Sequence, residues 1–463
     1  MKRIAVSLLL FAAVTPLAAQ TPVNWDSLGA ETQRVLTSYL RLNTTNPPGN
    51  EIQTARFLQE ILRENGIESQ ILDTAELGAG RANLYARLRG NGSKKAIALV
   101  SHMDVVPVTP AFWSVDPFGG VVKDGFLYGR GALDMKGEGI AELMAMLAIK
   151  RSGVTLNRDI VFIGNADEEL GGTGAETFVE KHADLLKDVE LLITEGGSNP
   201  LDHGRLLYYG VSVSEKRTFW QRMTVHGIPS HGSRPTKNNP VPHLVAALDR
   251  IAHYETPIRV TPGVRKYLHD VSSQFTGDHA TWLSDVDAAL KIPAARDWIL
   301  GNVEWNAILR NTISETGLSG SSKTNVIPAE ATADLDIRLL PDQDTAAFRA
   351  ELVKVVNDTA VHWSTILPPK APLESPIETD LFRAVERAAH ERDPKALITT
   401  VMLTGATDRP TYRALGIVTY GLDPFKVELE DDQRGVHGND ERVSLENLRF
   451  GPHFFYDILR YVQ

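Results

Sequence analysis

Two histidines and a group of carboxylates stand where short apolar runs give way to glycine-rich loops. The apolar run 96–100 ends on Ser101-His102-Met103-Asp104. On an extended chain His102 and Asp104 point the same way, as when a carboxylate fixes the tautomer of a ligating imidazole; a satisfied core or surface pair uses the same spacing. Asp134 closes the glycine-dense stretch from Tyr128, just before a helical pattern. There it either caps that helix or, having two oxygens to share, bridges two cations. Asp167, Glu168 and Glu169 follow another apolar run and precede Gly171-Gly172. Such a run is a solvated face unless cations or raised pKa values relieve its repulsion, and adjacent glutamates can divide labour between ligand and base. Glu195 ends the apolar run 191–194, and His437 lies in a polar loop before the last helical pattern. Each alone would serve as a cap or surface group; together the two histidines and three carboxylates suit a pair of zinc ions. The chain has no cysteine, so disulfides, thiolate ligation and a thiol nucleophile are excluded.

The elements that must position these groups follow from periodicity. Apolar residues recur at helical spacing over 51–65 and stop at Gly66, and again over 137–151. Short apolar runs at 83–88, 96–100, 159–163 and 190–193 alternate with them, which predicts an α/β sheet with helices on its faces. Near Val213 the pattern changes. A strand over 218–225, a helix from about Pro240, strands over 308–315 and 331–339, a helix over 344–356 and a strand over 361–366 give the order β-α-β-β-α-β of a ferredoxin-like module. An excess segment at about 254–306, rich in Trp and Asp, is expected to be helical. From about Ser375 the α/β pattern resumes, with a helix over 381–392, strands near 398–402 and 417–420, and a final amphipathic helix over 445–461. The middle module is therefore expected to be inserted into a discontinuous first domain of residues 21–213 and 371–463, itself spanning 214–370.

The chain of 463 residues is long for one core, and with 43% hydrophobic and 23% charged residues it is of ordinary globular composition. A net charge of -10 opposes non-specific nucleic-acid binding. Lys2 and Arg3, the apolar run 4–14, Pro16 and Ala18-Ala19 form a secretory signal pattern over residues 1–20, too short for a stable membrane span, so export to the periplasm or the extracellular space is expected. Gly-x-Ser-x-Gly, Gly-Lys-Ser/Thr and His-Glu-x-x-His are all missing, which disfavours serine-hydrolase and P-loop chemistry and excludes a zincin.

Ser101-His-Met-Asp-Val-Val-Pro107, Trp113-Ser-Val-Asp-Pro-Phe118, Asp124-Gly-Phe-Leu-Tyr-Gly-Arg-Gly131, Asp134-Met-Lys-Gly137 and Asp167-Glu-Glu-Leu-Gly-Gly172 resemble the signatures of metallopeptidase family twenty. That family includes glutamate carboxypeptidase, carboxypeptidase S, aminoacylase-1, acetylornithine deacetylase and succinyl-diaminopimelate desuccinylase. The likeness runs from about Asn43 to the C-terminus apart from the excess segment, and the openings at Asn43 to Asn50 and Trp113 to Phe118 look closest to the carboxypeptidase S-like branch. The resemblance implies a zinc-exopeptidase-like α/β catalytic domain with an inserted ferredoxin-like lid and dimerisation domain. It implies that Asp134 bridges two zinc ions (cobalt or manganese being alternatives), that His102 and Glu195 complete one site and Glu169 and His437 the other, that Asp104 orients His102, and that Glu168 is the general base. His231, in Gly227-Ile-Pro-Ser-His-Gly-Ser233, would help bind the oxyanion, commonly from the partner of a homodimer. Asn325 and Arg338 would hold the substrate's terminal carboxylate, and Gly405 would line that end.

Two features depart from the family pattern. Thr404-Gly-Ala-Thr replaces a Gly-Gly-Thr or Gly-Gly-Ser loop, and the excess segment is left with three readings: a cover for the active site, a change to dimer packing, or a pocket wall. The expected activity is hydrolysis of the amide of a free-carboxylate amino acid, as a carboxypeptidase, dipeptidase or N-acyl-amino-acid hydrolase acting on small peptides or N-acyl amino acids. The rival, a catalytically silent metal-binding protein that meets partners through its lid, is opposed by the presence of Glu168 with all five ligand candidates.

Overall fold

The computed structural model describes residues 21–371, 373–432 and 435–463, so the expected signal segment lies outside the described residues. The largest sheet has eight strands, in spatial order Glu68–Asp73, Ala82–Leu88, Ile160–Asn165, Ala96–His102, Val189–Thr194, Val418–Gly421, Tyr209–Glu215 and Ile398–Leu403. Ala96–His102 runs parallel to both neighbours, and all seven of its residues are buried, as its unbroken apolar run demands. The helix Lys136–Ser152 packs on this strand and is covered in turn by the helices Trp25–Leu40 and Leu445–Tyr461. It is buried on nearly every side, from Ile140 to Ile149 without a break. No helix of the described residues is long and apolar enough to cross a membrane.

The smaller module is an antiparallel sheet in the spatial order Thr312–Ser319, Glu330–Leu339, Gln221–His226, Val361–Thr365, with helices Pro240–Ala252 and Thr345–Val356. The second and third strands in the chain thus pair with each other and the first lies between the third and the fourth, the ferredoxin-like arrangement. Two expectations shift in detail. The strand expected over 218–225 is divided into Arg217–Thr218 and Gln221–His226, yet Arg217 opposite Leu339 and Gln221 opposite Leu335 keep one register, and Phe219 donates its N–H to Ile337 across the gap at 2.8 Å. The strand expected over 308–315 begins later, at Thr312. Asn302 accepts from the N–H of Trp305 and so caps a helix, Val303–Ile308, which takes the residues expected to start the strand.

The excess segment is helical, over Pro262–Val271, Gly277–Ser284, Val286–Ala289, Pro293–Gly301 and Val303–Ile308. Its apolar side forms a cluster with Leu397, Val401 and Met402 of or beside the edge strand Ile398–Leu403. Thr399 and Thr400 of that strand donate to Asp270 and to the carbonyl of Gly263. It therefore joins the lid in sequence but rests on the large sheet.

Candidate metal centre

Three of the candidate groups follow the C-terminal ends of parallel strands, the edge where ligands gather in α/β sheets. His102 ends its strand, Glu168 and Glu169 sit on the short turn after Ile160–Asn165, and Glu195 directly follows Val189–Thr194. Asp134 comes in from the loop before the helix Lys136–Ser152, and His437 from the loop before the last helix.

The geometry turns on Asp134. One of its oxygens lies 2.9 Å from His102 Nε2, and the other 3.1 Å from His437 Nε2. His102 Nε2 is also 3.8 Å from Glu195, and His437 Nε2 is 3.2 Å from Glu169. Two triads, His102-Asp134-Glu195 and Asp134-Glu169-His437, share one carboxylate, and within each the ligand atoms lie within 4.8 Å of one another. Ligands placed tetrahedrally at the usual zinc distances stand roughly 3.3 Å apart, close to the separations here. Oε1 of Glu169 is buried without any hydrogen-bond partner, an acceptor held in reserve where polar groups are normally satisfied. The residues present therefore fit a pair of divalent cations.

The titration of these groups also fits. Burial pushes Glu195 up to about 7, with the carboxylates of Asp134 and Glu169 adding to the rise. Burial likewise holds Glu168 well above the usual glutamate range, and Glu195 repels its charge further. His437 is pushed up to about 10 by hydrogen bonds with Asp134 and Glu169. Burial opposes the charge of Asp134, but bonds from His102 and His437 outweigh it and hold Asp134 low. Carboxylates packed this closely favour positive charge among them.

A surrounding layer holds these groups still. His102 Nδ1 lies 3.0 Å from the backbone carbonyl of Asp104 and 3.6 Å from its carboxylate, so orientation comes chiefly from the main chain of that residue. The Asp104 carboxylate instead accepts the N–H groups of Glu168 and Glu169, each at 3.1 Å, and the amide of Asn46 at 2.7 Å. Asn46 also donates to Asp167, and Arg81 joins Asp167, Glu51 and Asn46. Glu441, fully buried, accepts from the N–H groups of Gly131, Leu133 and Asp134 and from Arg130, fixing the loop that presents Asp134. Sequence reading missed Glu441 and Asn46, because nothing in their spacing marks them; Glu441's only signal is the polar loop it shares with His437.

Beside the centre lies a cleft of about 410 Å³, lined by Asp134, Glu168, Glu169, Glu195 and His437, with Arg338 and Gly405 among the other lining residues. Arg338 sits there on a two-point pairing with Asp336, at 2.7 and 3.1 Å, with its other arm on Thr218. His231 and Asn325 are elsewhere. They share a small ribbon in which Ser230–His231 pairs with Val326–Ile327, both are exposed, and neither lines the cleft of its own chain. No residue of the excess segment lines the cleft of its own chain either.

The sequence model of peptidase family M20/M25/M40 matches residues 98–461. The chain belongs to this family. The M20 chain is similar to N-fatty-acyl-amino acid synthase/hydrolase PM20D1 of Xenopus tropicalis, at 26% identity over 87% of this chain and 79% of the relative. Aminoacylase-1 of Pongo abelii is 27% identical over 86% of this chain and 89% of its own. Among solved structures, the M20 family metallo-carboxypeptidase Sso-CP2 from Sulfolobus solfataricus superposes with a TM-score of 0.72 at 19% identity, over 93% of this chain and 99% of that one. The last likeness is one of fold, and it takes in both sheets.

Proposed function

We propose that this M20 hydrolase is a two-metal amidase that cleaves the C–N bond of an amino acid bearing a free carboxylate, as a carboxypeptidase, a dipeptidase or an N-acyl-amino-acid hydrolase. The observation that carries this reading is the division of Asp134 between two histidine-carboxylate triads, with Glu168 facing the same cleft. His102 and Glu195 would hold one cation, Glu169 and His437 the other, and Asp134 both; zinc suits the donor set, and cobalt or manganese accept it. Bound there, such a pair polarises a scissile carbonyl and acidifies a water.

The chain's own residues supply the rest. Glu168, whose affinity for a proton is raised by burial, can take a proton from water and return it to the departing nitrogen. The Asp104 carboxylate fixes Glu168 by its main-chain N–H, so that the base keeps its position as its charge changes. Arg338 gives the substrate's terminal carboxylate a planar donor group at the cleft, pre-set by Asp336. The aminoacylase and N-fatty-acyl-amino-acid hydrolase relatives support acyl-amino acids as one substrate class, and the carboxypeptidase among solved structures shares only the fold. Association of two copies through the lid, with His231 reaching the partner's cleft, is part of the same reading, as is export of the chain.

Replacing Glu168 with Gln is the test. Turnover of a panel of dipeptides and of short- and long-chain N-acyl amino acids should disappear while bound metal stays at two ions per chain. Retained turnover would remove Glu168 as the base, and a wild-type chain that binds a single ion would remove the shared bridge.

A further inference from the structure

The turn that carries Glu168 and Glu169 is short. It is held at its entry by Asp104, and its exit runs through Gly171 and Gly172. Carbonyls at the end of such a turn have no partner within it. The Gly172 carbonyl accepts the N–H of Glu176, in the helix that follows, at 3.3 Å, and a donor to both glycine carbonyls comes from the other module. Lys370 lies on the stretch of chain that returns from the strand Val361–Thr365 to the large sheet, and its ammonium donates to the carbonyls of Gly171 at 3.0 Å and Gly172 at 3.3 Å. Its third contact is Glu176, at 3.2 Å.

Of the three N–H groups of the ammonium, two are placed on these carbonyls, and Glu176 adds an ion pair. Lys370 lines the cleft with its side chain 26% exposed, and its ammonium is directed at the Gly171–Gly172 turn. The fit is close: a Cβ at Gly172 would stand 2.6 Å from the Lys370 nitrogen and 2.5 Å from an oxygen of the buried Asp408. The main chain at Lys370 is anchored as well, because Arg217, on the outgoing crossing to the lid, donates to its carbonyl. Both crossings between the modules therefore meet at the residue that grips the Glu168 turn.

We propose that Lys370 is a positioning residue for hydrolysis: it closes the exit of the turn bearing the general base and makes the placement of Glu168 depend on the seating of the lid. This rests on the reading of Glu168 as the base. Lys370 does not touch the reacting atoms. It acts through the backbone of Gly171 and Gly172, so its removal should change the approach of the base and spare ground-state binding.

The experiment measures kcat, KM and bound metal for Lys370→Met and Lys370→Arg beside Glu168→Gln, on the best substrate of the panel. Lys370→Met should lower kcat by about ten- to a hundredfold, the scale of a misplacement near 1 Å, with KM within about threefold of wild type and metal content unchanged. Lys370→Arg, which restores donors to the same carbonyls, should fall between the two. A rise in KM with kcat held would make Lys370 a substrate contact and overturn the proposal, as would unchanged kinetics or a kcat loss that only follows loss of metal. If Glu168→Gln retains turnover, the reading of the base fails instead, whatever Lys370 does.

Discussion

Asp104 bears on two neighbours at once, and its two functional groups are separable. Its carbonyl meets His102 at 3.0 Å, while its carboxylate accepts the N–H groups of Glu168 and Glu169. Asp104→Asn keeps the carbonyl and turns one acceptor into a donor, which cannot satisfy these N–H groups and the Asn46 amide together. Turnover should drop by about 10–100-fold, the scale seen when the partner of a metal-site residue is altered, with both ions still bound. Steady-state kinetics with metal analysis checks this; loss of an ion would mean that the carboxylate mainly serves His102. Arg338 invites a different substitution. Its fork is set by Asp336, and Arg338→Lys would replace a planar donor pair with a point charge. KM for free-carboxylate substrates should rise severalfold, and carboxyl-amidated analogues should be poor substrates for both proteins. Equal cleavage of amidated and free substrates by the wild type would refute the anchor.

Among the elements, the helix Lys136–Ser152 is the one whose packing is least replaceable, since it separates the large sheet from two covering helices. Leu147 is completely buried in it. Leu147→Ala should cost about 2–5 kcal/mol, by the lost burial and the cavity left behind, measurable by denaturant unfolding. The last helix supplies an acid-sensitive contact. His453 stacks on Trp25 of the first helix, with ring centroids 3.6 Å apart and planes 14° from parallel, and burial and Arg392 push it down to about 4. A base whose pKa is lower folded than unfolded stabilises the fold in its neutral form. That contribution is full above the unfolded value of about 6.5 and is lost as pH falls toward 4. His453→Phe keeps a ring on Trp25 and removes the proton site, so its melting temperature should fall less steeply than that of wild type between pH 6.5 and 4. Identical slopes would show that His453 does not titrate in this range.

For the whole molecule, the decisive question is what completes the cleft. His231 and Asn325 share one exposed ribbon and do not line the cleft of their own chain. If a second copy brings them in, His231→Ala and Glu168→Gln proteins, each inactive alone, should regain turnover when mixed and allowed to exchange subunits, because one cleft of each mixed dimer is intact. A mixture that stays inactive, or a fully active monomer in sedimentation, would remove the role in trans. The helical segment that follows Ala252 ties the lid to the large sheet. It is part of the lid in sequence but packs on Ile398–Leu403, so it meets the large sheet in addition to the two crossings at Arg217 and Lys370.

Much of this was legible in the residues themselves. Apolar runs ending in His102, Glu168-Glu169 and Glu195 betray strands whose ends carry chemistry, because a parallel strand buried on both faces needs an unbroken apolar run and can change character only where it leaves the sheet. Period alone also revealed the β-α-β-β-α-β order of the lid. Tertiary structure decided what spacing cannot encode. The sharing of Asp134 between His102 and His437 joins groups separated by 32 and 303 positions, counted from the residue numbers. Asp104's carboxylate could serve a histidine two residues away or N–H groups more than sixty away; only the folded chain shows the second choice. Nothing in the spacing of Lys370 or Glu441 marks it; only folding brings the backbone groups of their partners beside them. Local periodicity follows from which face of an element meets apolar surface, whereas the pairing of distant polar groups depends on how whole elements come together, and no window of sequence contains that information.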